Sequence, residues 1–265
     1  MISTHAHINP SANIGKNVTI DAFAVIEDGV SIGDDTHIMC HVVILSGTTI
    51  GKSCKIFPGA VIGAIPQDLK FVGEVTTVEI GDHTTIREFV TINKGTKDRW
   101  KTVIGNNCLL MAYTHIAHDC IVGNNVILAN SVQLAGHVEV GDYAIIGGLA
   151  GAPQFAKIGA HTYVTGHTVI HKDVPPYMKA GRDPLSYVGI NSVGLQRRAF
   201  TSEKINAIRE IYRYIYLRNL NTSQALESIE KELPDCAERN EIIEFIKSSK
   251  RGIIKASVKE INDED

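Results

Sequence analysis

The stretch "IGKNVTIDAFAVIEDGVSIGDDTHI", residues 14–38, decides the fold. Isoleucine stands at 14, 20, 26, 32 and 38, at a strict period of six. Two places before each of the last four sits a small or β-branched residue: Val18, Ala24, Val30 and Thr36. A helix repeats its apolar face about every 3.6 residues and a strand about every two, so neither explains this period. The phase extends upstream to Ile8 and downstream through Ile44, Ile50, Ile56 and Ile62. It resumes at Ile80, Ile86 and Ile92, and again from Ile104 and Leu110 to Ile170. Of all the positions in phase, only Ala152 is not a large aliphatic.

A period of six fits a hexapeptide parallel β-helix. Each unit makes a short strand and a corner, and three units close one triangular coil. The aliphatic points inward, and the small residue turns the corner inside the prism. Prisms of this repeat class are left-handed; the hand comes from the class and not from the spacing. Two stretches break the phase, 64–78 and 97–103, and are expected as loops on the outside. Near "KDVPPY", Pro175 and Pro176 are expected to end strand pairing.

After about Gly194 the composition turns helical. Thr201 is placed to cap a helix with Ile205, Ile208, Ile211 and Ile215 on one stripe. Asn221 with Gln224 has capping-box spacing for a second, and a third follows Pro234. The expected protein is mainly β: a left-handed parallel β-helix over 1–190, then a small α-helical domain over 191–265.

Net charge is -3, with 44% hydrophobic and 21% charged residues, so no basic footprint for nucleic acid is expected. The N-terminus lacks the basic and apolar regions of a signal peptide, and no apolar run is long enough to span a membrane. Five cysteines without a C-x-x-C pair suit the cytoplasm better than a disulfide framework. Cys54, Cys108 and Cys120 share one position of the repeat and read as small buried hydrophobes.

One unit, "HIAHDC" at 115–120, carries titratable groups that a bare repeat does not need. Adjacent strands lie about 4.8 Å apart, so a residue and its counterpart three units on are vertical neighbours. That arithmetic stacks His115 under Gln133, Asp119 under His137, and His118 under Gly136, Gln154 and Lys172. All of these face away from the prism interior. A solvated polar face is the plain reading of a lone histidine there. The alternative is a general base beside a carboxylate that fixes its tautomer, with a glycine N–H close enough to hold an oxyanion. That arrangement suits acyl transfer to a hydroxyl. A third reading is zinc on His115, His118 and His137, as in γ-class carbonic anhydrases, although the H-x-x-H spacing is unlike that family's.

Taken together, the repeat, "IPQDLKFVGE", "HIAHDC", "LAGHVEVGDYAIIGG", "GAPQFAKIGAH", "DVPPY" and "VGLQRRAF" resemble the UDP-N-acetylglucosamine 3-O-acyltransferases that begin lipid A biosynthesis. The resemblance runs along nearly the whole chain. It implies His118 as general base, Asp119 as its support and Gly136 as oxyanion donor. It implies substrate contacts at Asp68, Lys70, His115, His137, Gln154, Asn191, Arg197 and Arg198. It further implies a 3-hydroxyacyl chain on acyl carrier protein as donor, UDP-N-acetylglucosamine as acceptor, no cofactor or metal, and a homotrimer with active sites between subunits. Family members carry His where Asn93 stands, and "HQF" where this chain has Pro153-Gln154-Phe155; both departures bear on binding. Lys172, Lys179, Arg182, Arg209 and Arg213 are basic candidates for the acidic carrier protein. Asn130, Gly148 and Gly166 stack as a column that suits an acyl groove. The later N-acyltransferase of the pathway is the related alternative; it begins with a uridine-binding domain, whereas this repeat starts by residue 8.

Overall fold

The computed structural model describes residues 1–256. From His7 to Val164 the chain winds as a left-handed parallel β-helix, most of its strands only a residue pair long. Its strands form three sheets of 8, 8 and 10. The first sheet runs from His7–Ile8 to Gly151–Ala152 and contains His115–Ile116. The second runs from Asn13–Ile14 to Lys157–Ile158, and the third from Thr19–Ile20 to Ser186–Ile190. Ile26 pairs with Ile44 and Ile116 with Leu134, each partner three repeat units, or one regular coil, further on.

The in-phase aliphatics make the core. Ile20, Ile26, Ile38, Ile44, Ile56 and Ile62 are all at most 1% exposed. Burying each contributes about 1.5–3 kcal/mol, and the stack repeats that gain coil after coil. The in-phase cysteines are core residues too. The thiols of Cys54, Cys108 and Cys120 donate to the carbonyls of Gly81, Gly123 and Ala135. Burial pushes Cys54 up to about 11 and Cys120 to about 12, so neither supplies a thiolate near neutral pH.

The interruptions lengthen two coils. Ile62 pairs with Ile92, and Ile92 in turn with Ile116, so each of these turns takes more chain than the regular coil from Ile26 to Ile44. The first loop, 65–76, is shorter than the break in phase suggests, and the second, 94–100, is as long as expected but lies three residues earlier. Thr77–Ile80 and Lys101–Ile104 pair along their whole length, because Val78 and Thr102 also turn inward and are buried.

The prolines shorten a coil and do not end the pairing. Gly151 still bridges Val169, a regular coil on, but Ile158 bridges Val174, which comes short of one. Pro176 packs directly against Gly159, and Met178–Gly181 adds one more parallel strand beside Tyr163–Val164. The uniform count that set Lys172 over Gln154 therefore fails just there.

Among the described residues four helices follow: α1 (Ser192–Arg197), α2 (Ser202–Tyr216), α3 (Thr222–Glu232) and α4 (Ala237–Ser248). Thr201 caps α2, whose four stripe isoleucines are buried, and Asn221 with Gln224 forms the capping box of α3. The short α1, capped by Asn191, has no counterpart in the sequence reading. Tyr212 donates its hydroxyl to the Pro176 carbonyl at 2.5 Å, tying α2 to the end of the β-helix. No helix among the described residues is long and apolar enough to cross a membrane.

Candidate active site

At the corner after His115–Ile116 the backbone takes left-handed values at Asp119 and, one coil on, at His137, with φ of 60° and 64°. The scaffold holds both there and turns their side chains out of the prism. Out of the prism does not mean into solvent. His118 is 3% exposed, Asp119 0% and His137 9%. They face away from the interior as expected, but not as a solvated face: the 94–100 loop folds over this corner and covers it.

His118 Nδ1 lies 2.8 Å from Asp119 Oδ2. Asp119 Oδ1 accepts from the N–H groups of Thr96 and Arg99 at 2.9 and 3.2 Å, and Oδ2 from the Thr96 hydroxyl at 2.7 Å. Burial pushes the Asp119 carboxyl up. The hydrogen bonds from His118, Thr96 and Arg99 outweigh it, so the group stays below the usual range and ionised. Gly136 lies against the imidazole: a Cβ there would be 2.5 Å from His118 Cε1 and 2.6 Å from Nε2. The Gly136 N–H has no backbone acceptor among the described residues.

The other histidines frame this pair. His137 meets His118 edge-on, with ring centroids 5.0 Å apart, and stacks on Phe155 at 4.3 Å. Its Nδ1 is 3.1 Å from Asp98 Oδ2 but lacks hydrogen-bond geometry. Burial holds its pKa down against the Asp119 charge. His115 Nδ1 is 2.7 Å from the Thr91 hydroxyl, and burial, then the neighbouring His118, lower its pKa. A groove of about 470 Å³ opens on His115, His118, Gly136 and Gln154 and continues past Pro153 to Val169. A larger cleft of about 800 Å³ between the second sheet and α4 holds Asp142, His161, Glu241 and Glu244 without a histidine–carboxylate hydrogen bond.

Residues 173–254 match the family model described as "Udp N-acetylglucosamine O-acyltransferase; Domain 2". Stretches 11–46, 29–64 and 101–136 match the model for the bacterial transferase hexapeptide. An acyl-[acyl-carrier-protein]–UDP-N-acetylglucosamine O-acyltransferase of Thermodesulfovibrio yellowstonii is 45% identical over 94% of this chain and 96% of its own. The chain belongs to that family. A relative of the same name from Xanthomonas euvesicatoria is 42% identical over 96% of this chain and 98% of its own. The crystal structure of a UDP-N-acetylglucosamine acyltransferase from Bacteroides fragilis superposes with a TM-score of 0.95 at 49% identity, covering 96% of this chain and 100% of that one. These relatives disfavour both the later N-acyltransferase and the carbonic-anhydrase-like zinc protein.

Within this family member, His118, Asp119, Gly136, His115, His137 and Gln154 come together in one chain. Asn93 lies one coil below Ala117 by the pairing of Ile92 with Ile116; it is 2% exposed, with Oδ1 unpartnered. Asp68 and Lys70 sit in the 65–76 loop, where Asp68 Oδ1 accepts from the Lys70 N–H; they do not line the groove. Gln67, just before Asp68, does, and sequence reasoning passed over it. Gly166 lies against Gly148 at the opposite edge of the first sheet from His118. Asn191, Arg197 and Arg198 are not brought to His118. Asn191 caps α1 and donates to the His161 carbonyl, and Arg198 donates to the Tyr143 carbonyl, at the corner beyond the second sheet.

Among the described residues, His118, Asp119 and His137 have ligand atoms within 4.8 Å of one another. A metal ion there would displace the His118–Asp119 and Thr96–Asp119 hydrogen bonds. His115, the third member of the zinc reading, turns its Nδ1 to Thr91 and is outside this group. Thr96 and Arg99 were also missed from sequence: Arg99 was read only as part of the 97–103 insertion, and Thr96, just before it, was given no role.

Proposed function

We propose that the chain transfers a 3-hydroxyacyl group from acyl carrier protein to the 3-hydroxyl of UDP-N-acetylglucosamine, the first step of lipid A biosynthesis. The observation that carries this reading is the buried His118–Asp119 pair with Gly136 against the imidazole. His118 Nε2 takes the hydroxyl proton as that oxygen attacks the thioester carbonyl. The Gly136 N–H receives the negative charge on the carbonyl oxygen. Collapse of the tetrahedral intermediate forms the ester, breaks the C–S bond and returns the proton from His118 to the departing thiolate. The thioester is already activated, so no covalent enzyme intermediate or cofactor is called on. His115, His137, Asn93 and Gln154 hold the acceptor around the base. Gly166, in its column with Gly148 and Asn130, leaves room for the acyl chain.

Asn191, Arg197 and Arg198 serve the nucleotide, where guanidinium groups suit phosphate oxygens. Asp68 and Lys70 contact the same acceptor from the exposed loop. All five lie off the groove of their own chain, which supports a homotrimer whose sites are completed by a neighbouring subunit. Exposed Lys172, Lys179, Arg182, Arg209 and Arg213 receive the acidic carrier protein. Five free cysteines are in keeping with a cytoplasmic enzyme.

The test is transfer from hydroxyacyl carrier proteins of graded chain length to UDP-N-acetylglucosamine. Ester formation on the 3-oxygen is expected; transfer to an amine, or none with any chain length, overturns the reading. Separately inactive His118→Ala and Arg198→Ala chains, refolded together, should recover part of the activity if the sites are shared between subunits. A monomeric mass in sedimentation would contradict the trimer.

A further inference from the structure

Asp119 has more partners than a carboxylate needs merely to touch a histidine. Besides His118, it takes the Thr96 N–H, the Thr96 hydroxyl and the Arg99 N–H, and the Arg99 guanidinium reaches its backbone carbonyl at 3.2 Å. All of these groups belong to the 94–100 loop, the insertion that lengthens one coil. The loop is itself fastened. The N–H of Lys94 donates to the Ala64 carbonyl, and its ammonium to the Ser46 carbonyl, both at 2.9 Å. Gly95 lets the loop's two ends close, since a Cβ there would be 2.3 Å from the Lys101 nitrogen. The other arm of Arg99 pairs with Glu139 one coil above.

The choice this arrangement makes is between two imidazoles. Asp119 Oδ2 is 2.8 Å from His118 Nδ1 and 3.9 Å from His137 Nε2. A carboxylate free to turn has either ring as a partner. The Thr96 hydroxyl on Oδ2 and the two N–H groups on Oδ1 fix its plane toward His118. With the proton of His118 committed to Nδ1, Nε2 is left as the acceptor facing Gly136 and the groove.

We propose that Thr96 is a positioning residue for the transfer reaction: through Asp119, its hydroxyl selects the His118 tautomer that works as base. This rests on the reading of His118 as the general base. Thr96→Val removes the hydroxyl at nearly constant volume, and Thr96→Ala removes it without bulk, should the valine variant not fold. Thr96→Ser keeps it. Losing a hydrogen bond to a charged group is expected to lower kcat about tenfold, with KM for the sugar nucleotide within about twofold. Thr96→Ser is expected within about threefold of the native kcat, since the same bond is retained. The deciding measurement repeats Thr96→Val in an Asp119→Ala chain, where it is expected to change kcat less than about twofold because its target is gone. A full second loss in that chain, or native kcat in both the valine and alanine variants, overturns the proposal. His118→Ala run alongside separates the failures: if it retains activity, the base reading fails; if it is inactive while Thr96→Val is normal, only the positioning role fails.

Discussion

Among the described residues, two histidine–carboxylate pairs on this β-helix are hydrogen-bonded, and only one has the surroundings of a base. In the early coils His37 Nε2 is 2.9 Å from Asp21 Oδ2, with side chains 37% and 41% exposed. In the later coils His118 is 2.8 Å from Asp119, with side chains 4% and 0% exposed. The interior residues of the two regions are alike, and the difference lies outside. Asp21 and His37 face water, where such a pair contributes about 0–1 kcal/mol. Asp119 lies beneath a loop that donates three further hydrogen bonds, and His118 lies against a glycine. An insertion has made a covered, low-dielectric corner on a surface the repeat alone leaves flat.

Removing each histidine breaks this comparison most directly. His118→Ala is expected to cut kcat by at least about 100-fold, the usual contribution of a general base, while the protein still folds. His37→Ala is expected to leave kcat unchanged. Steady-state assay of both settles it, and comparable losses would mean that burial does not distinguish the pairs.

The glycines give the next largest contrast. An alanine Cβ at Gly136 meets the His118 ring, whereas at Gly33 it meets the Gly51 backbone at 2.6 Å. Gly136→Ala keeps the backbone N–H but should push the imidazole aside and lower kcat by roughly tenfold to a hundredfold, a part of the ~10²–10⁴ that a well-placed general base contributes. Gly33→Ala should leave kcat near native and lower stability by about 1–3 kcal/mol, the usual cost of overpacking. Thermal melts beside kinetics separate them; an unstable but active Gly136→Ala chain would reverse the assignment.

Inward positions were legible in the sequence because each must be apolar in every coil, so the spacing of Ile8 through Ile62 carries the coil length with it. That length then stacked His118 under Gly136 and Asp119 under His137 without any structure. What the spacing could not carry is whatever departs from it. The burial of the corner depends on how the 94–100 loop folds back, which Thr96 and Arg99 decide through contacts with Asp119, well outside their own stretch of chain. The prolines at 175 and 176 read as a stop because proline lacks an N–H. They serve instead at a shortened corner, against a glycine that has room for them. Arg198 illustrates a different limit: its likeness to a family position is plain, yet its own chain holds it at another corner.

A third histidine sharpens the comparison with the smallest effect. His161 is stacked between Tyr143 and Tyr177, with centroids 4.8 and 5.4 Å away, and its Nδ1 has no partner. Burial first, and the Arg198 charge second, bring its pKa down to about 4. An unfolded histidine titrates near about 6.5, so between these values the unfolded chain takes up a proton that the folded chain refuses. His161 therefore stabilises the fold fully above that range, and the contribution is lost as the pH falls toward about 4. Between about pH 6 and pH 5 the loss is on the order of 1 kcal/mol. His161→Phe keeps a ring in the stack and removes the titration, so its urea midpoint should fall less steeply over this interval than that of the native chain. Equal slopes would show that His161 accepts its proton in the folded state without penalty. Burial would then not be what separates a histidine with a carboxylate, such as His118, from one without.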